Sequence, residues 1–154
     1  MSGFIAPAKN APSDAITSGV WWPAVSPAKV REDMRIPGSV TEPRLRTTLI
    51  NAITTVNEAL ATWSSRHIAD GHATLADVPA PQVGGTSRLV TLYQRAVATY
   101  AAAELTERYR SYDATDSANQ RADDLTPSIS EIRRDHRWAM RDLKARPRTT
   151  VDLL

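Results

Sequence analysis

No cysteine occurs in the 154 residues, which excludes a disulfide framework, a thiol nucleophile and the usual thiolate zinc site. Aromatic residues are scarce, at 6% with four Trp, four Tyr and one Phe, while alanine and arginine are plentiful. That mixture favours helices over strands. The longest uncharged runs are broken by proline or polar residues and fall far short of the roughly 20 apolar residues of a membrane span. The first residues lack a basic region followed by an apolar one, so no secretory signal is expected. The chain is expected to be made and used in the cytoplasm, or in something assembled there.

Charge of one sign is also lacking, because a formal net charge of +2 is too small to argue for nucleic acid. The three histidines are His67, His72 and His136, and none stands three or four residues from another, as a helical metal site requires. No Glu-x-x-His pair occurs, so the di-iron bundle signature is missing. Each histidine is read as structural or surface. Gly84-Gly85 has no preceding strand and no following Lys-Ser/Thr pair, so it is a loop joint rather than a phosphate loop. No catalytic residue, metal site or cofactor is expected, and the chain is not read as an enzyme.

What is present is helical punctuation. Five of the ten prolines fall before residue 40, so the first quarter cannot be one long element. Residues 1–25 read as an N-terminal arm, polar and aperiodic until Val20, Trp21 and Trp22 arrive together. Such a pair anchors an arm either on its own core or on a neighbouring subunit. Ser26-Pro27 is a helix start running to about Arg35, ended by Pro37-Gly38. Thr41, Glu42 and Pro43 start a second helix, uninterrupted until Gly71 and about 28 residues long. Leu45, Leu49, Ile53, Val56, Leu60 and Trp63 form its single apolar stripe.

Residues 72–85 read as a loop, after which Thr86 or Ser87 caps a third helix to about Tyr112. Leu89, Tyr93, Ala96, Val97 and Tyr100 make its core face. Ala96, Ala98, Ala101, Ala102 and Ala103 invite close approach of another helix. Thr126-Pro127 restarts or kinks the last helical region, with Ser128 and Glu131 as a capping box. Ile129, Ile132, Ala139 and Leu143 face inward there, and Pro147 closes the helix. The expected architecture is all-α: a bundle of four to five helices over 26–147, with the arm before it and a C-terminal tail over 148–154.

Charge falls in blocks. Asp113, Asp116, Asp123, Asp124 and Glu131 are followed by Arg133, Arg134, Arg137, Arg141, Lys144, Arg146 and Arg148, with Asp135 and Asp142 between them. Neighbouring blocks of opposite sign are either two solvated faces or surfaces that meet in a self-assembling subunit. Asp123, Asp124, Arg133, Arg137 and Arg141, with Trp21 and Trp22, are therefore candidates for a subunit boundary. A rival reading lays the arginine-rich helix along a phosphate backbone, as a DNA-associated structural protein. The tail Arg148, Thr149, Thr150, Val151, Asp152, Leu153, Leu154 ends in apolar residues beyond Pro147 and is a candidate partner-binding segment.

The chain also resembles a known family. The likeness begins at Trp22 and runs through Lys29-Val30-Arg31-Glu32-Asp33-Met34-Arg35, Pro43-Arg44-Leu45-Arg46 and Asn57-Glu58. It continues in the loop from Gly71-His72 to Pro79-Ala80, in Tyr93-Gln94-Arg95-Ala96-Val97 and in Glu107-Arg108-Tyr109-Arg110-Ser111-Tyr112-Asp113-Ala114. Arg134-Asp135, Arg137-Trp138-Ala139 and Val151 to Leu154 complete it. In order and spacing these resemble the head completion proteins of Peduovirus-type myophages. The resemblance implies a head-tail connector: a homo-oligomeric ring of twelve subunits beneath the portal protein, in the neck of the virion and assembled in the host cytoplasm. It would join after DNA packaging, help retain the genome and present the docking surface for a tail or neck protein. DNA would pass through the channel without specific recognition, and no membrane is involved. The resemblance also implies that the C-terminal segment engages the portal.

Overall fold

Ser26 opens the first helix, its hydroxyl accepting from the Lys29 amide with Pro27 at the first helical position. The computed structural model describes residues 14–110 and 128–146. Its elements are α1 (Pro27–Asp33), α2 (Glu42–Ala69), a 3-10 turn (Leu75–Asp77), strands β1 (Gln82–Val83) and β2 (Thr86–Ser87), α3 (Arg88–Arg110) and α4 (Ile129–Leu143). The described part is a small helical bundle. α1 stops at Asp33, two residues before the expected end, and α2 has the expected 28 residues.

Three helices end the same way. At each of Arg35 (φ 51°), Gly71 (φ 93°) and Ala145 (φ 52°) the backbone turns left-handed. In each case the amide of that residue and the next one fold back onto carbonyls of the last turn: Arg35 donates to Glu32 and Ile36 to Arg31, Gly71 to Ile68 and His72 to His67, Ala145 to Asp142 and Arg146 to Arg141. This is the Schellman ending, which needs a left-handed residue just past the helix. Gly71 takes that conformation freely, whereas Ala145 holds it at a cost of about 1–2 kcal/mol. Replacing Ala145 with glycine relieves the strain and loses about 0.5–1 kcal/mol in chain entropy. Ala145→Gly is therefore expected to raise stability slightly, by up to about 1 kcal/mol, in a thermal or urea melt. Pro147, expected to close α4, lies outside the described residues; the helix has already ended at Leu143.

The connection between α2 and α3 differs from the expected plain loop. Leu75–Asp77 makes a 3-10 turn closed by a reciprocal Thr74–Asp77 capping box. Beyond it, β1 and β2 pair antiparallel, Gln82 with Ser87 and Val83 with Thr86. Gly84 and Gly85 both have positive φ, at 59° and 75°, as the tight two-residue hairpin turn requires. Ser87 therefore belongs to a strand, and its buried hydroxyl bonds to no described group. The Arg88 amide donates to the Pro81 carbonyl instead. Two glycines flanked by four strand-forming positions are a hairpin signal that the loop reading passed over.

α3 is the central helix. Ala96, Val97, Ala98, Thr99, Ala101, Ala102, Ala103 and Leu105 are all buried, so this stretch is enclosed on every side but that of half-buried Tyr100 and Glu104. α2 packs along one side through Leu45, Leu49, Ile53, Val56 and Leu60. α4 runs antiparallel along another: Arg133 reaches Glu107 near one end, and His136 meets the Ala96 carbonyl further down. Ile132 packs on Ala102 and Ala103. Small side chains let the α4 backbone come near α3, so the alanine cluster is the seam of the α3–α4 hairpin. Ile132, Ala139 and Leu143 are buried, while Ile129 and Trp138 are half-buried.

Candidate functional site

Trp21 and Trp22 face their own subunit. The segment 14–25 carries the second half of the expected arm, and it is pinned to the body. Ile16 and Val25 exchange both backbone hydrogen bonds, at 2.8 and 2.9 Å. Trp21 is 8% exposed; its Nε1 donates to the His72 carbonyl at 3.2 Å, and its own carbonyl accepts from the Leu75 amide. Its ring meets Trp22 edge-on at 4.5 Å and Trp63 at 6.1 Å. Trp22 stacks on Tyr93 at 4.8 Å. Of the two anchoring sites the sequence left open, the structure places both rings on the chain's own core. Residues 14–25 therefore pack as part of the body; residues 1–13 lie outside the described residues.

A hydrogen-bond chain reinforces this attachment. Tyr93 donates its hydroxyl to Asn57 Oδ1 at 2.8 Å, and Asn57 Nδ2 donates to the Ser18 hydroxyl at 2.8 Å. Burial pushes the Tyr93 hydroxyl well above its ordinary range, with the Asn57 bond opposing, so the phenol stays protonated as a donor. Arg31 does similar work at the other end: its guanidinium donates to the Pro37 and Val40 carbonyls and to the Glu42 carboxylate. These side chains sit 36 or more residues apart for Tyr93 and Asn57, and no periodicity in the sequence links them. They fix the positions of elements and have no reacting group beside them.

The arginine series of α4 has mixed fates. Arg133 forms an ion pair with Glu107. Arg134 lies 4.7 Å over the Trp138 ring and 3.5 Å from Asp135, which also meets Arg95 at 3.3 Å. Arg137 is exposed and Arg141 half-buried. Lys144 Nζ reaches the Ala59 carbonyl at 2.6 Å. Asp123, Asp124 and the whole tail Arg148 to Leu154 lie outside the described residues. The sequence-based candidates for a subunit boundary are thus divided: the tryptophans point inward, Arg133 is paired within its own subunit, and Arg137 faces solvent.

The histidines are dispersed in role. His67 and His72 approach to 5.9 Å between ring centres beside Trp63, and no group of three metal-ligating side chains occurs among the described residues. His136 Nδ1 meets the Ala96 carbonyl at 2.9 Å and its ring packs against Tyr100. Burial holds the His136 pKa below the usual histidine value, and Arg137 adds to this, while the Ala96 bond opposes it. A depressed folded-state pKa means that the unfolded chain binds the proton more tightly. The neutral imidazole thus contributes stability that is present above about pH 6.5 and lost as pH falls through the folded value. His136 is expected to titrate below the ordinary histidine value when its ring protons are followed by NMR. His136→Gln is expected to flatten the loss of stability between about pH 6.5 and 5.

No described helix is long and apolar enough to cross a membrane. Among the described residues, side chains such as Arg31, Asn57 and Tyr93 tie the bundle's own elements together, an arrangement in keeping with a structural subunit. The comparisons agree and specify which kind. Residues 16–154 match the family model of the phage head completion protein, and the chain belongs to that family. It is similar to the head completion/stabilization protein of Escherichia phage P2, with 38% identity over 136 residues, 88% of this chain and 80% of that protein. No solved structure matches. The family is a structural one, and its members are virion components rather than enzymes.

Proposed function

We propose that this chain is a head-tail connector subunit, which assembles as a ring of twelve beneath the portal after packaging, helps retain the genome and presents the surface on which the tail docks. The observation that carries the reading is the family match, which runs unbroken from residue 16 to residue 154 and so includes the C-terminal segment as well as the bundle. The bundle itself supports a rigid building block: α3 is packed through its middle from Ala96 to Leu105, and packed helices of that kind transmit load without rearranging. Ring formation in a closed assembly requires two different surfaces of one subunit to meet. The virion neck is the proposed location, and assembly in the host cytoplasm the proposed route.

The tail supplies the proposed portal contact. Val151, Leu153 and Leu154 place three apolar side chains in an otherwise polar stretch after Pro147, the pattern of an extended segment that binds through alternate side chains. Deleting residues 149–154 is expected to leave the melting temperature of the isolated subunit unchanged and to abolish co-sedimentation with purified portal. A deletion that unfolds the subunit would make the tail part of its core, and undiminished portal binding would place the contact elsewhere.

A further inference from the structure

Among the described residues the larger excess of positive charge lies in α4 and the turn that follows it, Lys144 and Arg146 belonging to the turn. Residues 128–146 hold six cations against three carboxylates, whereas 14–110 hold ten against nine. α4 sorts its charges by face. Ile132, Ala139 and Leu143 are buried against the body. At about 100° per residue, Arg134, Arg137 and Arg141 lie within about 60° of one another on the opposite side. Glu131, Asp135 and Asp142 gather on a flank, within about 40° of each other. These carboxylates are engaged at home: Glu131 accepts from Ser128, which holds its pKa below the usual range, Asp135 meets Arg95 and Arg134, and Asp142 has a contact of its own. The outward face is left to arginine, with half-buried Trp138 under the Arg134 guanidinium. Stacking of this kind orients the guanidinium plane, which also lies 3.5 Å from Asp135, so that its remaining N–H groups can fork onto a phosphate.

We propose that the Arg134, Arg137 and Arg141 face of α4 binds the phosphate backbone of double-stranded DNA, without reading its sequence. The three positions span about 10 Å of helix, a row of cations suited to a row of phosphates. Among the described residues, a second copy of the chain offers this face few uncommitted carboxylates. The carboxylates of 14–110 are largely committed within their own subunit: Asp14 to Arg46, Asp33 to Lys29, Glu42 to Arg31, Glu104 to Arg108 and Glu107 to Arg133. The inference rests on the connector reading for bringing DNA to the protein, and it turns α4 toward the channel. A few phosphate contacts per subunit are weak singly and strong when repeated around a ring.

The test uses the full chain and a short duplex of arbitrary sequence, titrated from about 50 to 200 mM salt. Arg134→Gln with Arg137→Gln is expected to weaken binding and to reduce the slope of log affinity against log salt by about two. Arg66→Gln with Arg88→Gln removes the same charge from exposed positions outside α4 and is expected to leave the slope unchanged. Arg137→Gln alone, with an expected loss of about one, serves if the double variant melts early. Equal losses from both pairs would reduce the effect to bulk charge and overturn the proposal. So would undetectable binding by the unaltered protein at the lowest salt. An α4 variant that binds DNA normally but no longer assembles on purified portal would overturn it too, and would make the face a contact between subunits. Unaltered protein that binds DNA through α4 yet ignores the portal would defeat the connector reading and leave this face standing.

Discussion

Trp21→Ala is expected to cost about 3–5 kcal/mol of folding stability, the range for truncating a buried tryptophan. The ring is 8% exposed, and three consequences add up. The substitution leaves a cavity between Trp22 and Trp63, removes the indole donor to the His72 carbonyl, and loosens the segment whose backbone accepts from Leu75. The effect is expected in the isolated monomer, read as a lower urea midpoint with an unchanged slope. Trp22→Ala is expected to cost less, because that ring is only half-buried. A Trp21 variant that melts normally yet fails to assemble would move the ring to a neighbour and contradict the packing described.

The second large effect is expected at the α3–α4 seam. Ala96 is fully buried, and its carbonyl accepts or meets the His136 ring. Ala96→Leu adds three carbons where the helices come close, and overpacking of that kind costs about 1–3 kcal/mol. The accompanying displacement should also weaken the His136 contact with the Ala96 carbonyl, which holds the pKa up, so the histidine is expected to titrate further below its ordinary value in the variant. Ala96→Gly, with no added volume, should cost only about 1 kcal/mol through helix propensity. A Leu variant within about 0.5 kcal/mol of the parent would mean that the seam has room to spare.

Much of the fold was legible because local rules and burial agree. The α2 stripe from Leu45 to Leu60 is buried as its spacing requires, the Ser128–Glu131 capping box forms at α4, and Gly71 ends α2. The alanines of α3 signalled close packing, and they are buried. The misses are of two kinds. The Gly84-Gly85 hairpin was passed over because its strands are two residues each, too short for alternation to register. The fate of the tryptophan pair was undecidable, since hydrophobicity says that Trp21 must be covered but not by which chain. The Ser18–Asn57–Tyr93 chain and the Arg31 staple depend on contacts across many residues, which no spacing rule carries. Function was legible chiefly through resemblance, because a structural subunit leaves no reactive constellation to read.

The charges show the same division. The arginine periodicity of α4 was visible in sequence, whereas its sorting was not: Arg133 is withdrawn by Glu107, and Arg134 is oriented by Trp138. Only the structure separates the cation drawn toward α3 from those on the outward side of the helix.

The central claim is that this bundle caps the portal as a closed ring. Native mass measurement of purified portal mixed with excess protein tests it most directly. The account predicts one dominant complex carrying twelve copies of the 16.9 kDa chain per portal ring, while the protein alone stays at monomer mass. Portal mass unchanged at saturating protein, or a broad ladder of copy numbers with no closed species, would contradict it.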